Sequence, residues 1–336
     1  MKFITKNLSE IKDIIEYNKS LKFTDYDKNI EEIGRSKNIV ILGNFDGIHK
    51  GHKIILEKAI KKAKEKNLKT IVYTFSEYPK NRQNKITTCS EKAYLLNENK
   101  IDYLYLEEFE KVRNYSPEEF VEKVIVNILN ASEVYCGFNF TFGKKKSGNV
   151  VMLEKLLKEK NIKLNVQKPV LDENNEIISS TRIRKYIENT NFTEVKKLLG
   201  HNLIILGKVI YGKQLGRVIG FPTANLRFES KIYPEFGVYG VKIHIENDEK
   251  VYNGVMNIGR NPTVDIGVLS VETNIFNFNE DIYGKVILIE VLENIRPEKK
   301  FNSVEELKTQ IGNDVNYWKQ KISYWRKKYQ RETDAI

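Results

Sequence analysis

The pattern of apolar residues changes near residue 200, and this change constrains the fold more than any other feature of the chain. Before it, short β-rich runs alternate with segments of helical periodicity. The predicted strands are 38–42, 69–75, 103–106, 133–136 and 162–166, and the helices between them include 117–129 and 152–159. A strand, helix, strand unit normally makes a right-handed parallel crossover, so this part is expected to form an α/β domain with a parallel sheet covered on both faces.

After Gly200, short β-rich runs follow one another with Gly, Pro and Asn between them and without intervening helices. Such regular strands predict an antiparallel sandwich or barrel. The predicted strands are 203–211, 237–245, 251–257, 271–276 and 286–292. A final helix from Val304 to about Trp325 carries apolar residues at spacings of three and four. We therefore predict two domains, 1–200 and 201–336, and a length of 336 residues agrees with two cores.

Composition and charge exclude several classes of protein. With 40% hydrophobic and 30% charged residues the chain is globular rather than disordered. No apolar run approaches the roughly 20 residues of a membrane helix, and the N-terminus lacks a secretory signal, so a cytoplasmic protein without a membrane partner is expected. Cys89 and Cys136 have no metal-ligand spacing.

The net charge of +11 raises the question of nucleic-acid binding. The lysines are scattered among Glu, Asn and Ile along helical faces, and no recognisable nucleic-acid-binding motif accompanies them. The one dense run, Lys144–Lys146, is short and is interpreted as a loop near a phosphate-bearing ligand. We therefore expect no nucleic-acid partner.

A Gly-rich turn directly follows the first predicted strand. Its sequence is Gly43-Asn44-Phe45-Asp46-Gly47-Ile48-His49-Lys50-Gly51-His52, and a helix comes next. Helix N-termini beyond the carboxyl ends of parallel strands offer N–H groups to phosphate, and Gly47 and Gly51 let the backbone approach it. His49 and His52 share one helix face and can donate hydrogen bonds to phosphoryl oxygens. A solvated helix start or a metal pair is the alternative, although no third ligand with suitable spacing is evident.

A second segment opens a helix late in the first domain. Its sequence is Ile178-Ser179-Ser180-Thr181-Arg182-Ile183-Arg184. Ser and Thr are natural N-caps, so capping alone explains them. Arg182 and Arg184 add forked cations that can reach phosphate oxygens. From these residues alone, capping and phosphate binding are equally supported.

The second domain carries a Gly- and Pro-rich segment between two β runs. It is Gly216-Arg217-Val218-Ile219-Gly220-Phe221-Pro222-Thr223-Ala224-Asn225, and a tight turn alone would explain it. Thr223 and Asn225, however, face the same way in an extended stretch and offer two oxygen ligands to Mg²⁺. Gly212 and Gly216 around Lys213 are expected to form a phosphate-approaching loop that is not a Walker A loop.

Glu272 lies in an otherwise uncharged strand, in the run Val271-Glu272-Thr273-Asn274-Ile275-Phe276-Asn277-Phe278. A carboxylate in such a strand needs a partner or a chemical purpose. A structural salt bridge and a catalytic role are both compatible with the local sequence.

Together these segments resemble a known enzyme family. The H-x-G-H turn and the I-S-S-T-x-I-R helix start resemble the nucleotidyltransferase superfamily, and the longer N-F-D-G-x-H-x-G-H form resembles the FAD synthetase module of the bacterial bifunctional riboflavin kinase/FAD synthetase family. Residues 136–143 are similar to that family's G-x-[DN]-F-x-F-G segment, which implies flavin as the acceptor. The G-x-x-G-F-P-T-A-N segment, residues 256–263 and Glu272 resemble the riboflavin kinase module.

The resemblance covers residues 38 to about 314 and implies a Rossmann-like nucleotidyltransferase domain followed by an antiparallel Greek-key β-barrel domain with a C-terminal helix. It also implies roles for individual residues. In the adenylyltransferase these are His49 and His52 at the ATP phosphates, Asn44, Asp46, Gly47, Gly51, Ser180, Thr181 and Arg184 in ATP and phosphate binding, and Asn139 and Phe142 in flavin binding. In the kinase they are Gly212, Lys213, Gly216, Arg217, Gly220 and Pro222 at ATP, Thr223 and Asn225 at Mg²⁺, and Glu272 as general base.

The activity implied is phosphorylation of riboflavin to FMN with ATP, followed by adenylylation of FMN to FAD with release of pyrophosphate. Tyr78, Asn274 and Asn277 stand where many family members have His, His and Asp. These departures motivate an alternative in which only one of the two modules is active. A flavin-responsive or RNA-binding protein is a further alternative, but the motif residues expected to be lost in such a protein are all present. The sequence leaves the oligomeric state open.

Overall fold

The computed structural model describes residues 1–5, 17, 22–23, 26–76, 84–212, 215–229, 231–260 and 269–333. The chain forms two compact units. The first comprises 1–185, 197–200 and 230–232, and the second comprises 186–196, 201–229 and 233–336. The chain therefore passes between the units more than once, and the single boundary near residue 200 stays a prediction.

The first unit is built on a seven-stranded sheet in the order β2-β1-β5-β4-β3-β6-β7, and every described strand pair in it is parallel. The strands are β1 (Lys2–Ile4), β2 (Lys22–Phe23), β3 (Asn38–Leu42), β4 (Lys69–Phe75), β5 (Tyr103–Glu107), β6 (Ala131–Gly137) and β7 (Lys163–Gln167). The predicted parallel α/β sheet is thus confirmed. Strand β3 is buried along its whole length in the interior of the sheet, between β4 and β6, as its uninterrupted apolar sequence requires.

Helices alternate with these strands. They are α1 (Tyr26–Gly34), α2 (Lys50–Lys66), α3 (Cys89–Glu98), α4 (Phe109–Val112), α5 (Pro117–Glu119) and α6 (Val150–Glu159). Two further helices, α7 (Ser180–Glu188) and α8 (Phe192–Leu199), follow β7, and their residues from 186 to 196 belong to the second unit. Helix α5 continues as a π-helix over Phe120–Ile128, where the sequence predicts an ordinary helix. Helix α2 buries Ile55, Leu56, Ala59 and Ala63, and it ends at Asn67 in the left-handed conformation that Asn tolerates.

The second unit is a closed antiparallel barrel in the order β10-β11-β12-β9-β8-β13, which confirms the predicted barrel. The strands are β8 (Leu203–Ile210), β9 (Ala224–Phe228), β10 (Gly237–Ile245), β11 (Val251–Arg260), β12 (Leu269–Ile275) and β13 (Val286–Pro297). The short helix α9 (Leu215–Val218) precedes β9, and the long helix α10 (Val304–Thr333) ends the chain's described part. Strand β9 was expected only as an extended stretch.

Helix α10 packs on the barrel through Trp318, which is fully buried. Its ring lies so close to Gly240 that a Cβ there would be 2.4 Å from ring atoms. Ile311, Val315 and Ile322, three further residues of the predicted packing face, belong to the same cluster. In the described part of the chain, no helix is both long and apolar enough to cross a membrane.

Candidate active sites

The turn after β3, residues 43–49 and called the nucleotide turn below, has an unusual backbone. Phe45, Gly47 and Ile48 have φ values of 49°, 81° and 41°. Left-handed backbone is rare for a bulky or β-branched residue and persists only where the surroundings enforce it. Phe45 and Ile48 are fully buried side chains, so packing holds both in this conformation.

Hydrogen bonds with Ile86 and Thr87 hold the nucleotide turn in place. The Asp46 carboxylate accepts from the backbone N–H groups of Ile86 and Thr87, at 2.8 and 3.2 Å. The Gly47 N–H donates to the Thr87 hydroxyl at 3.0 Å. A Cβ on Gly47 would lie 3.1 Å from Ile86 and from Leu199, so the position requires glycine for both space and φ.

His49 and His52 form a stacked pair at the start of α2, with ring centroids 3.7 Å apart. His49 is the N-cap, and its Nδ1 accepts from the His52 backbone N–H at 3.4 Å. A neutral His49 ring therefore carries its proton on Nε2. Gly51 makes room for this arrangement, since a Cβ there would lie 3.1 Å from the His49 ring.

Burial keeps both rings neutral. It lowers the pKa of His49 to about 4, against the opposing effect of the Asp46 carboxylate. Burial, with the nearby His49 and Lys92, also lowers the pKa of His52 well below its ordinary 6.5. The His52 Nδ1 atom is buried and has no hydrogen-bond partner among the described residues. Because buried polar atoms are normally hydrogen-bonded, this atom is a candidate to bind a ligand.

The second predicted segment meets the nucleotide turn. Helix α7 begins at Ser180, whose hydroxyl donates to the Asp46 carbonyl at 3.0 Å. The Arg184 guanidinium pairs with the Asp46 carboxylate at 2.5 Å and donates to the Asn84 carbonyl at 2.6 Å. Arg182 instead pairs with Asp172 and with Glu176, so only Arg184 contacts the nucleotide turn.

A cavity of about 790 Å³ opens beside these groups, within the size range of ligand pockets. Of the residues predicted for adenylyl transfer, those that line it are Asn44, Asp46, His49, Gly51, His52, Asn139, Phe142, Ser180, Thr181 and Arg184. Phe140, from the same motif as Phe142, adds to an aromatic lining with Phe109 and Phe120, which the sequence did not single out. Lys145 and Lys146 also line the cavity, as the phosphate-loop interpretation expects.

The second cluster lies in the barrel. Glu272 on β12 is directly opposite Asn225 on β9. The Thr223 hydroxyl is 3.5 Å from one Glu272 carboxylate oxygen, and the Ser270 hydroxyl donates to the other at 3.3 Å. The three residues singled out from two distant segments are therefore neighbours. Ser270 was missed, although its position two residues before Glu272 places it on the same strand face.

Glycines bring the chain close to this cluster. A Cβ on Gly212 would lie 2.3 Å from the Asn225 side chain, and one on Gly216 would lie 2.4 Å from the Phe221 carbonyl oxygen. Gly220 has a φ of 89°, which few other residues adopt. Arg217 is exposed on α9. Lys213 lies outside the described residues.

Two of the three positions that depart from the family pattern have a structural explanation. The Asn274 amide donates to the Pro222 carbonyl at 2.8 Å and so supports the segment that carries Thr223. Asn277 has a φ of 54° just after β12, a conformation for which Asn is well suited. Tyr78 lies outside the described residues.

The donors near Glu272 fit a hard cation. A hydroxyl oxygen, an amide oxygen and a carboxylate are the oxygen ligands that Mg²⁺ accepts, and Mg²⁺ completes its shell with water and phosphate. No group of three or more His, Cys, Asp or Glu side chains suited to a metal occurs in the described ranges. A metal here would therefore depend on Thr223, Asn225 and the substrate.

Comparison with known proteins identifies two enzyme modules in this chain. Residues 32–182 match the family model described as FAD synthetase, and residues 199–322 match the one described as riboflavin kinase. A bifunctional riboflavin kinase/FMN adenylyltransferase of Haemophilus influenzae is 36% identical over 82% of this chain and 91% of its own. The Bacillus subtilis protein of the same name is 37% identical over 83% of this chain and 91% of its own.

A solved structure is also similar. It is titled as a macrolide-efflux protein from Streptococcus pneumoniae, is 35% identical, covers 83% of this chain and 92% of its own, and has a TM-score of 0.72. Both family models and the named relatives agree on the same two enzyme modules in the same order. This chain belongs to the bifunctional riboflavin kinase/FMN adenylyltransferase family.

Proposed function

We propose that this chain phosphorylates riboflavin to FMN with ATP and then adenylylates FMN to FAD, releasing pyrophosphate. The observation that carries the proposal is that each motif set assembles into one compact cluster: the histidine-lined cavity in the first unit and the Thr223, Asn225 and Glu272 cluster in the second. Each cluster contains the groups that its own reaction needs.

In the kinase reaction Glu272 acts as general base. The riboflavin 5′-hydroxyl oxygen attacks the γ-phosphorus of ATP, its proton passes to the Glu272 carboxylate, and ADP leaves. Contacts from Thr223 and Ser270 orient the carboxylate, one at each oxygen. Glu272 is half-buried in a strand that is otherwise uncharged, and a role as proton acceptor accounts for a carboxylate at this position.

Thr223 and Asn225 are proposed to hold Mg²⁺ together with the ATP phosphates. When bound, the ion would neutralise charge on the phosphoryl oxygens. Gly212 and Gly216 let the backbone approach that region, since side chains there would collide with Asn225 and with the Phe221 carbonyl. Lys213, Arg217, Gly220 and Pro222 are proposed to complete the ATP site.

In the adenylyl transfer an FMN phosphate oxygen attacks the α-phosphorus of ATP and pyrophosphate leaves. No protein nucleophile is needed, so positioning and charge stabilisation supply the catalysis. His49 is buried, His52 is half-buried, and both are neutral, so they donate ring N–H groups as charge develops on the phosphoryl oxygens. The nucleotide turn and the start of α7 bind the triphosphate.

The aromatic part of the same cavity is proposed to take the flavin ring. Phe140 and Phe142 are stacked, with centroids 5.9 Å apart, and Phe120 lies 5.5 Å from Phe142. Together these rings form an aromatic wall against which a planar ring system can stack. Asn139 is exposed in the cavity lining and can hydrogen-bond to the flavin.

The absence of nucleic-acid or membrane partners stays a prediction.

The first test is incubation of the purified chain with riboflavin, ATP and Mg²⁺, with products separated by chromatography over time. FMN followed by FAD is expected. FMN alone would support the alternative that only the kinase module is active, and FAD formed only from supplied FMN would support the converse. Absence of any flavin product would refute the proposal.

A further inference from the structure

Lys231 lies within the stretch that matches riboflavin kinase, yet its side chain is buried in the first unit. The chain on both sides of it belongs to the second unit, whereas Lys231 and Ile232 belong to the first. The fully buried Lys231 ammonium donates to both carboxylate oxygens of Glu91, at 2.9 and 2.8 Å. Residues 140 positions apart thus form a bidentate ion pair inside the unit that holds the adenylyl cavity.

Glu91 also forms a reciprocal capping box with Thr88 at the start of α3. The Thr88 hydroxyl accepts from the Glu91 N–H at 3.1 Å, and the Glu91 carboxylate accepts from the Thr88 N–H at 3.0 Å. The same carboxylate therefore joins the Lys231 ammonium to the first turn of the helix. A second link is formed by the Ile232 N–H, which donates to the Lys85 carbonyl at 2.9 Å.

The segment held in this way, residues 85–92, is the one that supports the nucleotide turn. Its backbone N–H groups at Ile86 and Thr87 donate to the Asp46 carboxylate, and its Thr87 hydroxyl accepts from the Gly47 N–H, as described above. At its other end the Lys92 ammonium donates to the Thr74 hydroxyl at 3.3 Å, and that hydroxyl donates to the Asn44 carbonyl at 3.2 Å. Both sides of the nucleotide turn therefore depend on the placement of this segment.

We propose that Lys231 is a positioning residue for adenylyl transfer: through Glu91 it fixes the start of α3 and hence the turn that binds the ATP phosphates. The inference rests on the proposed adenylyltransferase function of the cavity. A buried carboxylate that loses its cation is strongly unfavourable, so residues 85–92 shift when the ammonium is removed. Such a shift displaces Asp46 and His49 from the geometry that the reaction needs.

The test compares Lys231→Met with Lys250→Met, a change at an exposed lysine of the second unit. FAD formation from supplied FMN and FMN formation from riboflavin are measured separately. We expect Lys231→Met to lower the adenylylation kcat/KM by about tenfold or more, with a lower kcat and a higher KM for ATP, and to leave the kinase rate within about twofold. Lys250→Met is expected to change neither activity.

A double variant and a structural measurement separate positioning from folding. Lys231→Met/Glu91→Gln keeps an acceptor for the Thr88 N–H without a buried unpaired charge, so it is expected to recover part of the lost adenylylation. Hydrogen–deuterium exchange of residues 44–49 and 85–92 is expected to be faster in Lys231→Met than in the unaltered chain.

Unchanged adenylylation together with unchanged exchange in Lys231→Met would overturn the proposal. Loss of both activities would also overturn it, because the pair would then maintain the whole chain rather than the nucleotide turn. If the unaltered chain makes no FAD, the proposed function fails, and the exchange measurement still decides whether Lys231 fixes residues 85–92.

Discussion

At the scale of single residues, the Glu272 carboxylate is the group on which the kinase assignment depends most directly. Glu272→Gln keeps the size of the side chain and one oxygen that can accept from Thr223 or Ser270, but removes the carboxylate that takes up the proton. We expect the kinase kcat to fall by about 10²- to 10⁴-fold. FAD formation from supplied FMN should remain unchanged, because that reaction uses the other unit. Both are measured by chromatography, with the exposed Glu280→Gln as the matched control.

A kinase rate in Glu272→Gln close to that of Glu280→Gln would assign the carboxylate a structural role instead. The local sequence left that alternative open. In the described residues Glu272 contacts hydroxyl groups rather than a cation, which favours a chemical role over a salt bridge.

His49 makes the stability of the first unit depend on pH. Burial lowers its folded pKa to about 4, whereas the unfolded chain takes up the proton near 6.5. Between these values the unfolded state binds more protons, so the free energy of unfolding falls as the pH drops, by at most about 1.4 kcal/mol per pH unit for this group. His49→Gln is expected to reduce the slope of the free energy of unfolding against pH by up to about 1.4 kcal/mol per pH unit. The slope that remains in this variant includes the contribution of His52, whose pKa is also lowered.

The measurement is urea unfolding at pH 7 and pH 5, followed by circular dichroism. Tryptophan fluorescence is the internal control, since the two tryptophans, Trp318 and Trp325, both lie in the second unit. Equal slopes for His49→Gln and the unaltered chain would contradict the proposed effect of burial on this imidazole.

At the scale of elements, the docking of α10 depends on the absence of a side chain at Gly240. Alanine there would bring a methyl group within 2.4 Å of the Trp318 ring, which is rigid and fully buried. Gly240→Ala is therefore expected to destabilise the second unit by about 1–3 kcal/mol and to shift the tryptophan emission. Gly312→Ala is the control, because Gly312 lies in α10 itself and the nearest atom to a Cβ added there, on Phe221, is 3.9 Å away. This change is expected to be neutral or stabilising.

Urea unfolding followed by fluorescence measures both changes. An unchanged midpoint for Gly240→Ala would mean that α10 moves away from the barrel without loss of stability. The close contact of Trp318 with Gly240 would then be unimportant for the unit.

The elements differ in how far periodicity predicted them. Strands such as β3 and β10 are long, apolar and bounded by turn residues, so their bounds agree with the sequence prediction to the residue. Strand β1 has only three residues, and β9, although it has five like β3, is interrupted by Asn225 and Arg227, so neither carries a continuous apolar run that could be recognised. Helix α3 was missed for another reason: its first turn buries the polar residues Ser90, Glu91 and Lys92, a pattern that does not resemble an amphipathic helix.

At the scale of the whole molecule, the motifs predicted which residues meet, because strand ends in a parallel sheet share one edge and because paired strands bring distant residues together. The sequence did not predict the Lys231 and Glu91 pair. Its members are separated by 140 positions, and neither belongs to a motif or a periodic pattern. The sequence also did not predict the ion pair between Arg184 and Asp46, because each residue was assigned separately to phosphate binding.

The described residues of each cluster lie within a single unit, and this predicts that inactivated chains complement one another. The cavity-lining residues all belong to the first unit, and Thr223, Asn225 and Glu272 all belong to the second. A Glu272→Gln chain lacks the kinase step and a His49→Gln chain is expected to lack efficient adenylylation, so neither makes FAD from riboflavin at the normal rate. A mixture of the two should make FAD after a lag, because FMN released by the second chain is a substrate for the first.

The measurement is chromatography of riboflavin, FMN and FAD over time in each single variant and in the equimolar mixture. FMN should rise before FAD in the mixture, and adding FMN directly should abolish the lag. Failure of the mixture, while each variant keeps its remaining activity on supplied substrate, would mean that FMN does not leave the chain that makes it. The two units would then have to be treated as one reaction pathway rather than as two enzymes joined in one chain.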